Sequence, residues 1–126
     1  IDITAASLKQ AQQSFEDIIY TLQKRKIIDT FRVRNNNAEH SIYRDLNEGS
    51  IYIEALASNP DVQDSFNCNI ALADEIHAFK KPAQYNRFKE AMKAYRNKLM
   101  LGITTAGDNM NSFCYRKLEY AKKVLE

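Results

Sequence analysis

Apolar residues recur along this chain in two rhythms, the alternation of a strand and the three-to-four spacing of an amphipathic helix. Residues 1–5 form a short apolar, β-branched run closed by Ser7, a residue suited to capping a helix. Leu8, Ala11, Phe15, Ile18 and Leu22 then fall at helical spacing, with Lys, Gln and Glu between them. This predicts one helix over Leu8–Lys24. The basic run Lys24-Arg25-Lys26 suits its C-terminus, where the helix dipole favours cations. Residues 31–34 and 41–44 read as two short strands around the turn-prone Asn35-Asn36-Asn37, an edge hairpin. Asn47-Glu48-Gly49 is a turn, residues 50–55 alternate as a strand does, and Asn59-Pro60-Asp61 breaks the pattern.

Asn69-Ile70-Ala71-Leu72-Ala73 is a short uncharged run that stops at Asp74-Glu75. It reads as a buried strand with acids at its carboxyl end. Pro82 starts a second helix, striped by Tyr85, Phe88, Met92 and Tyr95. Residues 99–104 are another apolar strand, followed by a loop over 105–109. A last helix carries Cys114, Leu118, Ala121 and Leu125 on one face. Strands alternating with helices predict an α/β fold, a mostly parallel sheet flanked by helices on both sides.

Composition narrows the function classes. The chain has 126 residues, enough for one domain, and 44% of them are hydrophobic, enough for a core. Eighteen basic against sixteen acidic residues leave a formal charge of +2, which argues against a dedicated basic coat for nucleic acid. No run approaches the ~20 apolar residues of a membrane span. Cys68 and Cys114 lack metal or redox spacing, and together with His40 and His77 they match no zinc signature. Buried thiols in a reducing compartment and surface imidazoles account for these four. The seven tyrosines read as core residues of helix stripes. The chain opens at Ile1 without a methionine and at once reads as a strand, as expected of a piece of something longer.

In an open α/β sheet, ligands bind beyond the carboxyl ends of the strands, and two such ends carry chemistry here. At the first, Asp74 and Glu75 stand where a rigid apolar strand would present carboxylates to a nucleotide's magnesium and to an attacking water. The plain alternative is that both acids only complement the dipole of a following helix. At the second, Gly102 and Gly107 have the spacing of a P-loop's glycines. The following positions hold Asp108 and Asn109 instead of Lys and Ser or Thr, so this is no P-loop. Thr104 and Thr105 read instead as a polar strand end that senses a nucleotide, or as part of an ordinary strand-to-helix turn. Lys80-Lys81, Arg116-Lys117 and Lys122-Lys123 are solvated faces before they are DNA contacts.

Taken together, these blocks resemble a known family. Ala71-Leu72-Ala73-Asp74-Glu75-Ile76-His77-Ala78-Phe79-Lys80 and Tyr85-Asn86-Arg87-Phe88-Lys89 resemble the Walker B region of phage large terminase subunits. Ile103-Thr104-Thr105-Ala106-Gly107, with Asn111-Ser112-Phe113-Cys114-Tyr115 and Tyr120-Ala121-Lys122-Lys123-Val124-Leu125, is similar to their ATPase-coupling motif and following helix. Ile3-Thr4-Ala5-Ala6 with Gln10-Ala11, and residues 49–58, resemble flanking strands and a helix of the same domain. The resemblance implies a P-loop-type ATPase that drives viral DNA into a procapsid. In it Asp74 would hold Mg²⁺, Glu75 would activate the attacking water on ATP, and Thr104, Thr105, Ala106 and Gly107 would couple hydrolysis to movement. It further implies double-stranded viral DNA, a portal protein, a small terminase subunit and a homo-oligomeric ring as partners, in the cytoplasm of a bacterial host.

The departures from the family pattern are specific. The Walker A strand and loop would lie before Ile1, and no nuclease segment is present, so residues 1–126 are expected to be a single partial domain that is inactive alone. Asp64-Ser65 stands where the family often has Asp-Gly. Arg25, Arg32 and Arg34 are candidates for an arginine finger by charge only. Without a Walker A strand, residues 99–104 are expected to have an exposed edge, to pair with another copy, or to sit in a rebuilt sheet order. Two other readings compete: a piece of a DExH helicase, since Asp74-Glu75-Ile76-His77 spells that box, and a non-catalytic α/β interaction domain.

Overall fold

In the computed structural model the described residues are 1–57 and 67–126. Strand β1 (Asp2–Ala5) leads into helix α1 (Leu8–Lys24), and a 3-10 turn at Ile28–Thr30 precedes β2 (Arg32–Asn35), β3 (His40–Leu46) and β4 (Gly49–Ala57). Strand β5 (Ile70–Ala73), a second 3-10 turn (Ile76–Ala78), α2 (Pro82–Ala91), β6 (Leu99–Gly102) and α3 (Phe113–Leu125) follow. The six strands form one sheet in the order β2-β3-β4-β1-β5-β6. The four strands from β4 to β6 are parallel, while β2 and β3 add an antiparallel hairpin at one edge. The expected alternation of strands and helices, the mostly parallel sheet and the edge hairpin are all present. The breaks at Asn59-Pro60-Asp61 and Asp64-Ser65 lie outside the described residues.

Helix α1 begins where the chain predicts. Ser7 accepts from the Gln10 backbone N–H, and the Gln10 side chain reaches back to the Ser7 N–H, a reciprocal cap. Such caps contribute about 1 kcal/mol. The helix closes with Lys26 in the left-handed region (φ 56°). There the Lys26 and Ile27 N–H groups bond back to the Gln23 and Leu22 carbonyls.

Registered partners on parallel strands point to the same side, and successive residues alternate. Ile3, Leu72 and Leu101 therefore face α1, whose Ala11 and Phe15 close a core with Ile3, Ala5, Ile42 and Ala55. Ala71, Ala73, Met100 and Gly102 face the other side. There Phe88 and Met92 pack on Ala71 and Cys68, and Cys114 of α3 packs on Ala73, Ile76 and Phe79.

Among the described residues strand β6 is the far edge, paired with β5 alone. An exposed edge, one of the arrangements expected for it, is present in the single chain. Leu99, Leu101 and Ile103 are 56%, 50% and 48% exposed, beyond the reach of α1. The strand is shorter than residues 99–104, ending at Gly102, because the Thr104 hydroxyl receives the His77 N–H and the chain turns away from the ladder.

Three other expectations differ. Only Cys114 of the α3 stripe is buried, whereas Leu118 and Leu125 are exposed. His40 is a buried imidazole: it contacts Gln12 and Asn35 and meets the Phe15 ring edge-on. Tyr20, Tyr52 and Tyr120 are exposed rather than core, while Cys68 and Cys114 are buried thiols as expected.

Candidate functional site

Strands β1 and β5 lie side by side at the centre and end on the same rim. The Asp74 N–H donates to the Thr4 carbonyl at 2.8 Å, so the acid is held as a rigid extension of the ladder. Its Oδ1 accepts from the Glu75 N–H (2.9 Å) and its Oδ2 from the Ser14 hydroxyl of α1 (3.3 Å). A carboxylate has about four acceptor positions, so Asp74 keeps capacity for further donors.

Glu75 does not continue the strand. Its backbone is left-handed, with φ 53° and ψ 48°, a conformation costing a residue with a Cβ about 1–2 kcal/mol. That bend turns the chain into the 3-10 turn and sets the Glu75 Oε2 3.0 Å from Nδ1 of His77. Glu75 occupies the N-cap position of that 3-10 turn without a side-chain capping bond, so the plain alternative of acids at a helix start is also compatible with the geometry.

His77 joins the two strand ends. Its Nδ1 lies 3.2 Å from the Thr104 hydroxyl and 3.3 Å from that of Thr105, while its backbone N–H donates to Thr104 at 3.0 Å. Thr104 in turn donates to the Thr105 carbonyl (2.8 Å) and lies 3.6 Å from the Cys114 sulfur. Backbone bonds from Ile103 N–H to the Ala73 carbonyl and from Ile76 N–H to the Ile103 carbonyl lock the rims together. A Cβ on Gly102 would come within 2.3 Å of the Ile76 Cδ1, so this crossing requires glycine unless Ile76 moves. Ala106 is exposed on the turn and lines an apolar hollow with Ile76, Tyr85, Cys114 and Leu118.

Asp74, Glu75, Thr104, Thr105, Ala106 and Gly107 thus share one rim. The three candidate arginines do not join them. Arg25 caps the C-terminus of α1, Arg32 lies over the Tyr43 ring, and Arg34 pairs with Glu39 at 3.0 Å on the hairpin. Among the described residues no three His, Cys, Asp or Glu side chains gather as a metal cluster. Sequence reasoning missed Ser14, sixty residues from its partner, and it placed His77 in the block resembling Walker B without giving it a role.

The opposite rim holds a second polar group. Asp2 is buried, and burial pushes its carboxyl up, opposed by a bond from Cys68. Burial pushes the Cys68 thiol up to about 12, and the neighbouring Asp2 adds to this. Such a thiol stays protonated and unreactive.

The family model for the ATPase domain of the terminase large subunit matches residues 1–123. The chain belongs to that family. The large terminase of bacteriophage HK97 superposes with a TM-score of 0.81 at 16% identity, over 99% of this chain and 26% of that one. The large terminase of a thermophilic bacteriophage in complex with ADP gives 0.71 at 11%, over 97% and 29%. The large terminase ATPase domain of Thermus phage P74-26 gives 0.63 at 15%, over 91% and 50%. At these identities the likeness is one of fold. The terminase segment spans from about a quarter to a half of those chains. No curated protein matches it significantly. Among the described residues no helix is long and apolar enough to cross a membrane.

Proposed function

We propose that this segment is the Walker B-to-coupling part of a motor ATPase that uses ATP hydrolysis to move double-stranded viral DNA into a procapsid. The observation that carries the reading is the shared rim: two acids at the end of a central strand, tied through one histidine to the Thr104–Thr105 turn. Asp74 is the residue for Mg²⁺. Its carboxylate is fixed by backbone, its lone pairs are not all used, and the Ser14 hydroxyl stands beside it. A hydrated Mg²⁺ reached through water suits such a group. The bound ion would supply charge neutralisation to the phosphates of ATP.

Glu75 accepts the proton of the water that attacks the γ-phosphate. Thr104, Thr105, Ala106 and Gly107 read the state of that centre and pass it on. The phosphate-gripping loop belongs to a strand upstream of Ile1, and the open edge of β6 beside uncovered Leu101 and Ile103 supports that placement. Portal protein, a small terminase subunit and a homo-oligomeric ring in the bacterial cytoplasm complete the reading.

The test is substitution in the intact large subunit. Glu75→Gln is expected to lower ATP turnover by roughly 10²–10⁴-fold with nucleotide binding kept, as loss of a general base does. Asp74→Asn is expected to weaken magnesium-dependent binding itself. Unchanged turnover in both would overturn the assignment.

A further inference from the structure

The Nδ1 atom of His77 faces three oxygens within 3.3 Å: the Glu75 carboxylate at 3.0 Å and the hydroxyls of Thr104 and Thr105 at 3.2 and 3.3 Å. A carboxylate can only accept, so in this arrangement Nδ1 carries the proton. The Thr104 hydroxyl already donates to the Thr105 carbonyl and so can only accept from the ring. One N–H therefore has competing acceptors on two different strand ends. Glu75 is the stronger and nearer of them, because a charged acceptor outweighs a hydroxyl. If Glu75 turns away to take a proton from water, the same N–H is released to the threonines.

The ring is also held for this purpose. Its backbone N–H is anchored on Thr104, and Gly107 closes over its Cβ. The imidazole cannot follow Glu75 outward without disturbing the 104–107 turn. An exclusive choice of partner by a fixed donor gives a two-state element that both ends can bias.

We propose that His77 is a positioning residue that holds Glu75 when the centre is at rest and reports its departure to the Thr104–Thr105 turn. The proposal rests on the reading of Glu75 and the turn given above. It adds the part that connects them, and it states that the connection is a single shared hydrogen bond.

The experiment uses the intact large subunit with Mg²⁺-ATP, with and without linear double-stranded DNA, and reads the ratio of DNA-stimulated to unstimulated turnover. His77→Ala is expected to lower that ratio about tenfold while KM for ATP stays within about twofold. His77→Asn, which keeps a side-chain N–H near the Nδ1 position, is expected to recover most of it. Thr105→Val, which removes one acceptor, should lower the ratio too, and it serves as the test if the alanine variant does not fold. Glu75→Gln runs in parallel. If it leaves turnover intact, the reading of the site has failed. If it abolishes turnover while His77→Ala leaves the ratio unchanged, or if asparagine is as damaging as alanine, the site stands and the role of His77 is overturned. A wild-type protein whose turnover ignores DNA would overturn both.

Discussion

Gly107 lies against His77: a Cβ on the glycine would stand 3.1 Å from the histidine's Cβ, and the glycine backbone has φ +66°. The two observations are independent demands on one position. The left-handed backbone costs an L-residue about 1–2 kcal/mol, and the close approach leaves the added methyl little room.

Gly107→Ala is therefore expected to destabilise the chain by about 1–2 kcal/mol and to shift the turn away from His77. Urea denaturation of the 1–126 polypeptide measures the first. A change in the His77 ring resonances measures the second. An alanine variant as stable as its parent would show that this turn does not hold the ring.

The open edge of β6 makes a prediction at single amides. The Leu99 and Ile103 N–H groups donate to the Asn69 and Ala73 carbonyls, so by alternation the Met100 and Gly102 N–H groups point away from β5. In the isolated segment these two amides should exchange with solvent at close to open-chain rates. In the intact large subunit they should be protected at least about a hundredfold, as amides within a paired ladder are. Equal exchange in both would mean that no upstream strand completes the sheet.

Helix α1 and the edge hairpin were legible because their determinants are local. Phe15 and its neighbours repeat at helical spacing, Ser7 caps, and the asparagines turn. The Asp74-Glu75 strand end was legible for the same reason, an apolar run cut off by acids. What was not legible depends on partners distant in the chain. Nothing in the periodicity of α1 marks Ser14 as the residue that meets Asp74, and nothing around His40 announces that Phe15 and Gln12 bury it. The α3 stripe shows the limit from the other side. Helical spacing records an apolar face but not whether a surface lies against it, and Leu118 and Leu125 are exposed.

The buried carboxyl of Asp2 should leave a signature in the pH dependence of stability. Burial raises it above its ordinary 3.8, and Glu54, its registered partner on β4, is raised by the same cause. The folded state then binds protons more tightly than the unfolded chain. This contribution is most favourable at low pH and is lost as pH rises through the interval between the ordinary and the raised value. Asp2 also keeps Oδ2 unpartnered among the described residues, as does the Thr4 hydroxyl on the same face. Asp2→Asn removes the charge and retains an acceptor for Cys68. It is expected to raise Tm at pH 7 and to lose that advantage as pH falls through the raised value of the carboxyl, which then takes up its own proton. An advantage independent of pH would refute burial as the cause.

The last prediction compares two non-glycine residues that share one backbone conformation. Lys26 ends α1 at φ 56°, and Glu75 opens the 3-10 turn at φ 53°. At ordinary helix or strand positions glycine is less stable than alanine by roughly 0.5–1 kcal/mol, because it loses more backbone freedom on folding. In the left-handed region the order reverses, since alanine bears the Cβ clash. Lys26→Gly should therefore exceed Lys26→Ala in stability by about 1 kcal/mol, and Glu75→Gly should exceed Glu75→Ala by a similar amount. The two sites then part company. Lys26→Gly should leave ATP turnover of the intact protein as it was, whereas Glu75→Gly, although the more stable of its pair, should abolish it. Glu75 thus holds strain that a glycine would relieve, as expected where backbone geometry serves to aim a carboxylate rather than to end a strand. Alanine at position 75 matching or exceeding glycine in stability would show that the backbone there is not strained and would remove this argument for its role.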